Sequence, residues 1–428
     1  MIAVLAAAAT PAQAQPYTWS TVIGVAGRRG SIDGTNAGGL VANPTGLATD
    51  NAGGVYLTDA GTNNTIRKIT RVGADYVITT LAGFPGPSGN ISVDGTNSGA
   101  RFMGPYALTM DTTGTVYVAE NSGSRVRKLS QISTNWVATT LAGSSMGPDQ
   151  DGTNNSASFS LLRGITRDAM GRLFVTDGGN LIRMVMSVGT NWVVTTVAGG
   201  AGSSTLDGTN TAARFAGPYG IVVDNSSNLF VAEAGGNVIR KITPIGTNWV
   251  VTTVAGLAGV SGSADGTNSD ARFFTPKGLT IDPTGNLYVT EENNHAIRRI
   301  RSVGTNWIVT TLGGFPGSSG TTDGTGAAAR FDTPRAIAVD TNGDLFVADF
   351  AAAVIRFGKF IPSLQFTRSA DQLVLQWPML ATNYVLETSG SLNTNANWSP
   401  ASPPVAFGED FVSTNALYGT NSFFRLRK

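Results

Sequence analysis

The chain has 428 residues, of which 41% are hydrophobic and 13% charged; it contains 54 Gly and no Cys, and its net charge is +1. That length allows a large core or two domains. Without Cys there are no disulfides, thiolate metal sites or cysteine nucleophiles, and a near-neutral chain has no field with which to hold a nucleic acid.

At the N-terminus, Ile2 to Ala9 is a short apolar run and Ala12-Gln13-Ala14 is an A-x-A site. Residues 1–14 therefore read as a secretory signal peptide, although no Lys or Arg precedes the apolar run. The expected location is secreted, cell-surface or periplasmic. No run reaches the ~18 apolar residues of a membrane helix, so no membrane span is expected.

From here one pattern repeats six times. Its marker is Asp-Gly, at Asp33, Asp94, Asp151, Asp207, Asp265 and Asp323, at intervals of 56 to 61 residues. A fixed period of this size means stacked units that bury their apolar faces against each other. In one repeat, Gly220 to Asp224, Leu229 to Glu233, Val238 to Ile242 and Trp249 to Val254 are short β-branched or aromatic runs separated by Gly/Asn/Ser turns. No segment carries a long 3.6-residue apolar period. The expected fold is all-β: a six-bladed β-propeller of four-stranded blades over residues 15–358. The last repeat supplies Ala336 to Asp340, Leu345 to Asp349 and Val354 to Phe357, and then the pattern stops. The missing strand is Trp19 to Val25, followed by Ala26-Gly27, which matches Trp249 to Gly256. The N-terminal strand is thus expected to close the ring.

Residues 359–428 change character. Leu373 to Trp377, Tyr384 to Glu387, Trp398 and Phe423 to Leu426 read as strands of a small β-sandwich-like domain. It looks like a shortened fibronectin-type-III-like module, either capping the propeller or adhesive.

The phrase Pro276-x-Gly278-Leu, Asp282-x-x-Gly285-Asn-Leu-Tyr-Val-Thr-Glu291, Ile297-Arg298, with equivalents in every repeat, resembles the NHL-repeat family. The linker carrying Asp265-Gly and Ala271-Arg-Phe273 is similar to those of bacterial secreted members. The resemblance implies a fold that serves both binding proteins and enzymes, and does not select between them.

Residues present in every repeat maintain the blade. Asp50, Asp111, Asp168, Asp224, Asp282 and Asp340 end the first strand and suit turns. Asp59, Glu120, Asp177, Glu233, Glu291 and Asp349 end the second. They are expected to pair with Arg, either of the third strand (Arg240, Arg298) or of the linker (Arg101, Arg214, Arg272, Arg330), and not to bind calcium. Trp136, Trp192, Trp249 and Trp307 share one position and are expected to be packing anchors. No metal or cofactor is expected.

Function belongs where the frame stays and the side chain varies. The first such position opens the innermost strand and holds Thr45, Tyr106, Arg163, Tyr219, Lys277 and Arg335. Tyr106, Arg163, Tyr219, Lys277 and Arg335 are the candidate ligand-binding residues, converging on a funnel at the channel rim. Their chemistry attracts carboxylate, sulfate or phosphate. His295, the one His, stands beside Glu292 and is a candidate general base. A single His and a basic rim speak against multi-histidine metal lyases and calcium lactonases of similar fold. The favoured reading is a monomeric, non-enzymatic binding scaffold for an acidic glycan or another anionic extracellular partner. A metal-independent lyase or hydrolase using the rim, and a purely structural surface protein, are the alternatives.

Overall fold

A computed structural model describes residues 17–86, 91–144, 147–200, 202–362, 364–369, 372–378, 385–389, 396–401, 403–407, 410–416 and 422–427. Residues 1–14, expected from the sequence to be a signal peptide, lie outside them. The chain divides into two compact units, one spanning Thr18–Lys359.

That unit contains six antiparallel sheets, and their innermost strands, Pro44–Thr49, Pro105–Met110, Gly164–Arg167, Pro218–Val223, Pro276–Ile281 and Pro334–Val339, neighbour one another in a closed circle. We number the blades 1 to 6 in that order. Each is five-stranded, where four were expected. The fifth strand is the Gly-Thr of the Asp-Gly-Thr-Asn loop, which pairs with the outer long strand; Gly208↔Val251 and Thr209↔Val250 are typical. Two residues of pairing escape any periodicity reading, because the minimum pattern for a strand is longer. The expected Asp-Gly turn is therefore an edge strand followed by one turn of 3-10 helix.

Blade 6 incorporates the N-terminal strand Tyr17–Ile23, between Gly324–Thr325 and Val354–Phe360. Its register differs from the match of Trp19 to Trp249. Gly24, at φ 97°, is the counterpart of Gly256 at 93°, so Tyr17 occupies the Trp249 place. Trp19 pairs with Gly324, as Val251 pairs with Gly208. The offset is two residues, which leaves the inward and outward faces unchanged. Trp19 is thus an inter-blade core residue, standing where other blades have Ile78, Ala138, Val194, Val251 and Val309. Its indole needs more space than those side chains, and blade 6 supplies it at Gly358. Other blades have Ile69, Leu129, Val185, Ile242 or Ile300 at that place. A Cβ on Gly358 would stand 2.6 Å from the indole ring. Trp19 also meets Phe331 edge-on at 5.0 Å.

Between blades the packing is aromatic on aromatic. Trp249 meets Phe174 at 5.5 Å, Trp307 meets Phe230 at 5.4 Å and Trp136 meets Tyr56 at 6.3 Å, each reaching from one blade to the one before. These tryptophans are packing anchors.

A second compact unit includes Phe360–Lys428. Its described strands form one sheet in the order Gln365–Ser369, Gln372–Pro378, Asp410–Ala416, Val405–Phe407, and another with Val385–Ser389 between Ser399–Pro400 and Phe423–Arg427. Trp377 is buried, and Glu387 pairs with Arg425 and Arg427.

Candidate functional site

What holds the linkers decides what is free to bind. In every blade the second-strand acid is fully buried and paired with a fully buried third-strand Arg: Asp59–Arg67, Glu120–Arg127, Asp177–Arg183, Glu233–Arg240, Glu291–Arg298 and Asp349–Arg356. Where the acid is Glu the pair closes to 2.6–2.7 Å; the shorter Asp leaves 3.2–3.6 Å. Each Arg bridges onward to the half-exposed Asp of its linker, from Asp33 in blade 1 to Asp323 in blade 6. Arg67, Arg127, Arg240, Arg298 and Arg356 also bond linker carbonyls. The guanidinium is a hub tying strand to linker, as a five-donor fork can. The linker arginines do not share this work. Arg101, Arg214, Arg272 and Arg330 donate to backbone carbonyls of their own short turns instead.

Burial pushes the pKa of Glu120, Glu233 and Glu291 up, against the pull of the adjoining Arg. Asp349, with the longest pair, is pushed up to about 8, chiefly by burial. In blade 3, burial and then the adjacent Asp149 raise Asp177 to about 7. Both carboxylates accept the Ser160 N–H, at 2.7 and 2.9 Å. Other blades give the acid a donor instead: Ser92 or Thr205 at the Asp149 place, and Asn63 or Asn294 from the loop after the acid.

The first-strand aspartates behave as turn residues. Asp224 Oδ1, for example, accepts the N–H groups of Ser226 and Asn228.

The rim residues converge. Tyr106, Arg163, Tyr219, Lys277 and Arg335 line one opening at the start of the inner strands, with Thr45 completing the circle. Their backbone is set by the close approach of neighbouring inner strands. Gly220 and Gly278 follow the rim residues because a Cβ there would strike the carbonyls of Lys277 and Arg335 in the next blade. Second-strand threonines fix alternate rim residues: Thr58, Thr176 and Thr290 donate to the carbonyls of Tyr106, Tyr219 and Arg335 at 3.1, 2.6 and 3.2 Å. Thr45 is buried and bonds Pro105 O, so it is frame and not rim.

The side chains pack around Tyr219. Arg163 lies 4.4 Å and Lys277 4.6 Å from its ring centre, and Tyr106 is 6.3 Å away. Lys277 and Arg335 both pair with Glu292, Arg335 at 2.9 Å, and Arg335 also lies 3.4 Å over Phe350. Burial opposes ionisation of Glu292, but the hydrogen bond and charge of Lys277, with Arg335, hold its pKa below the usual range. Burial, with the adjacent Tyr219, raises Tyr106, so its phenol stays protonated. Three cations and one carboxylate leave the mouth positive. The cavity below is small, about 60 Å³, room for a few water molecules or one small anionic group. At the opposite mouth a wider hollow of about 470 Å³ is lined by Asp50, Asp224, Asp282 and Asp340, each engaged in its own turn.

Glu292 and Phe350 were not among the expected site residues. They follow the second-strand acid, where the other blades carry Ala60, Asn121, Gly178 and Ala234. That position varies beside a fixed neighbour, the same signal that singled out the rim. His295 does not face a reaction partner. Its Nδ1 accepts the Thr333 N–H at 3.2 Å, the work done by Asn64, Asn180 and Asn237 in other blades. It shares their left-handed backbone, at φ 54°.

Residues 275–300 match the NHL repeat family. The chain is a β-propeller that carries an NHL-type repeat at that place. It is 25% identical to human teneurin-1 over 386 residues, covering 80% of this chain but 13% of that protein. Among solved structures it is similar to a protein of unknown function from Bacteroides thetaiotaomicron, at TM-score 0.60 and 21% identity, covering 80% of this chain and 75% of that one. It is also similar to an auxiliary nutrient binding protein from the same organism, at TM-score 0.58 and 16% identity, covering 81% and 77%. At these identities the structural likeness concerns the fold.

Proposed function

We propose that this NHL-repeat propeller is a secreted bacterial binding protein whose basic channel mouth captures an anionic group of an extracellular ligand, an acidic glycan being the best fit. The observation that carries this is the convergence of five variable side chains, from five blades, on one positive opening of about 60 Å³. The narrow mouth suits end-on recognition, in which one carboxylate or sulfate enters first. Arg163, held over Tyr219 and without a carboxylate partner among the described residues, is the cation available to it. Guanidinium–carboxylate bonding supplies the affinity, and Tyr106 contributes a neutral phenol. A protonated phenol orients a ligand and donates a hydrogen bond to it. The nutrient-binding description of one structural neighbour agrees with such a use of the fold. We place the C-terminal fibronectin-III-like module as an attachment or spacer element.

The test is calorimetric titration with uronate-containing, sulfated and neutral oligosaccharides. The anionic ligands should bind and the neutral ones should not, and Arg163→Ala should weaken binding by about 1–3 kcal/mol. Equal binding of neutral and anionic sugars, or no effect of Arg163→Ala, would refute the proposal.

A further inference from the structure

We infer that Glu292 is the specificity-determining residue of the channel mouth, an internal anion that makes the site accept a single negative charge and reject a double one. The inference rests on the anion-binding reading above and adds the charge of the group recognised.

The position of Glu292 is the first observation. Of the six equivalent rim places, Ala60, Asn121, Gly178, Ala234, Glu292 and Phe350, it alone is acidic. It stands between the cations of its own blade and the next, paired with Lys277 Nζ and with both Nε and Nη2 of Arg335 at 2.9 Å. Its depressed pKa agrees with a permanently ionised group. A carboxylate is therefore already seated on two of the three cations.

The second observation is how firmly that seat is filled. Lys277 is 8% exposed, and Arg335 is clamped over Phe350. Neither can swing to a new partner without leaving Glu292 unpaired in a half-buried site, a costly step. The incoming group must use Arg163, on the side of the mouth flanked by Tyr106 and Tyr219.

The consequence is electrostatic. An anion on Arg163 meets the repulsion of Glu292, which is seated on Lys277 and Arg335 of the same mouth. Ligand charge scales this repulsion and the attraction of Arg163 alike, so relative to the same site without Glu292 a phosphate monoester dianion is penalised twice as much as a carboxylate. With Lys277 and Arg335 held by Glu292, the dianion has no second cation to compensate. A uronate or a monosulfate satisfies Arg163 and leaves the balance intact. Without Glu292, the same frame would present three cations, which is the ordinary composition of a phosphate seat.

The probes are D-glucuronate and D-glucose 6-phosphate, which share a ring and differ in the anion, titrated calorimetrically at fixed ionic strength and pH 8. The wild type should bind glucuronate at least as tightly. Glu292→Gln should raise the ratio of glucose 6-phosphate to glucuronate affinity at least tenfold. Lys277→Met combined with Glu292→Gln removes one of the two released cations and should bring the ratio part of the way back toward the wild-type value. Asn121→Glu leaves the Lys277–Arg335 pair untouched and should lower the ratio, which keeps the test decisive if the Glu292 variants fail to fold. If Arg163→Ala abolishes glucuronate binding but neither Glu292→Gln nor Asn121→Glu moves the ratio beyond twofold, the specificity role is wrong and the anion site survives. If the wild type binds neither probe, both fall.

Discussion

Trp19 should act as the bolt of the ring, and its contribution can be worked out from its surroundings. The side chain is 1% exposed, between blades 5 and 6. A buried aromatic covers about 150–250 Å², which at ~25 cal/mol per Å² is roughly 4–6 kcal/mol before relaxation. Measured truncations of such residues cost about 3–5 kcal/mol. The unfolding entropy of a propeller of ~340 residues is about 0.7 kcal/mol per kelvin, so Trp19→Ala should lower Tm by roughly 4–7 °C. Calorimetry or circular dichroism melts will show it. The sharper version is a double-mutant cycle with Gly358→Ile. In the wild type the new side chain collides with the indole; with Trp19→Ala it refills the place that Ile69 or Ile242 fills in other blades. The two changes should therefore couple favourably by at least ~1 kcal/mol. If Gly358→Ile destabilises both backgrounds equally, the indole is not what keeps that position small.

Two further outcomes concern the buried hubs. Arg298→Met strands Glu291 without its charge partner and should cost about 3–5 kcal/mol in chemical denaturation; Asp265→Asn, at the half-exposed end of the same hub, should cost under ~1 kcal/mol. Asp149→Asn replaces the carboxyl beside Asp177 with the donor type found in blades 1 and 5. A raised folded-state pKa, about 7 for Asp177, gives stability that is complete below the unfolded value near 3.9 and lost as pH rises through 7. The variant should therefore gain on the wild type between about pH 4 and pH 7, by on the order of 1–2 kcal/mol in paired melts; a constant difference would show that Asp149 does not raise Asp177.

The repeats made the propeller readable because period and turn chemistry agree in all six copies. The rim was readable for the opposite reason, since Tyr106, Arg163, Tyr219, Lys277 and Arg335 break a frame kept everywhere else. Pairing was harder. Which Arg meets the buried acids depends on reach across a blade, and Arg298 and Arg272 look equally suitable in a string of letters. The register of the closing strand was hidden because Trp19 and Ala26-Gly27 imitate Trp249 and Ala255-Gly256, while the backbone follows Gly24. Glu292 went unnoticed as a rim residue because its partners, Lys277 and Arg335, come from two different blades.

Having its N-terminal strand in the last blade gives the molecule a clock. Tyr17–Ile23 emerges from the ribosome first, yet its partner Val354–Phe360 is made last. At roughly 5–20 residues per second the ~340 residues between them take about 20–70 s to synthesise. Throughout that interval an apolar strand with open edges must stay solvated or held by another protein, because its only proper neighbours do not yet exist.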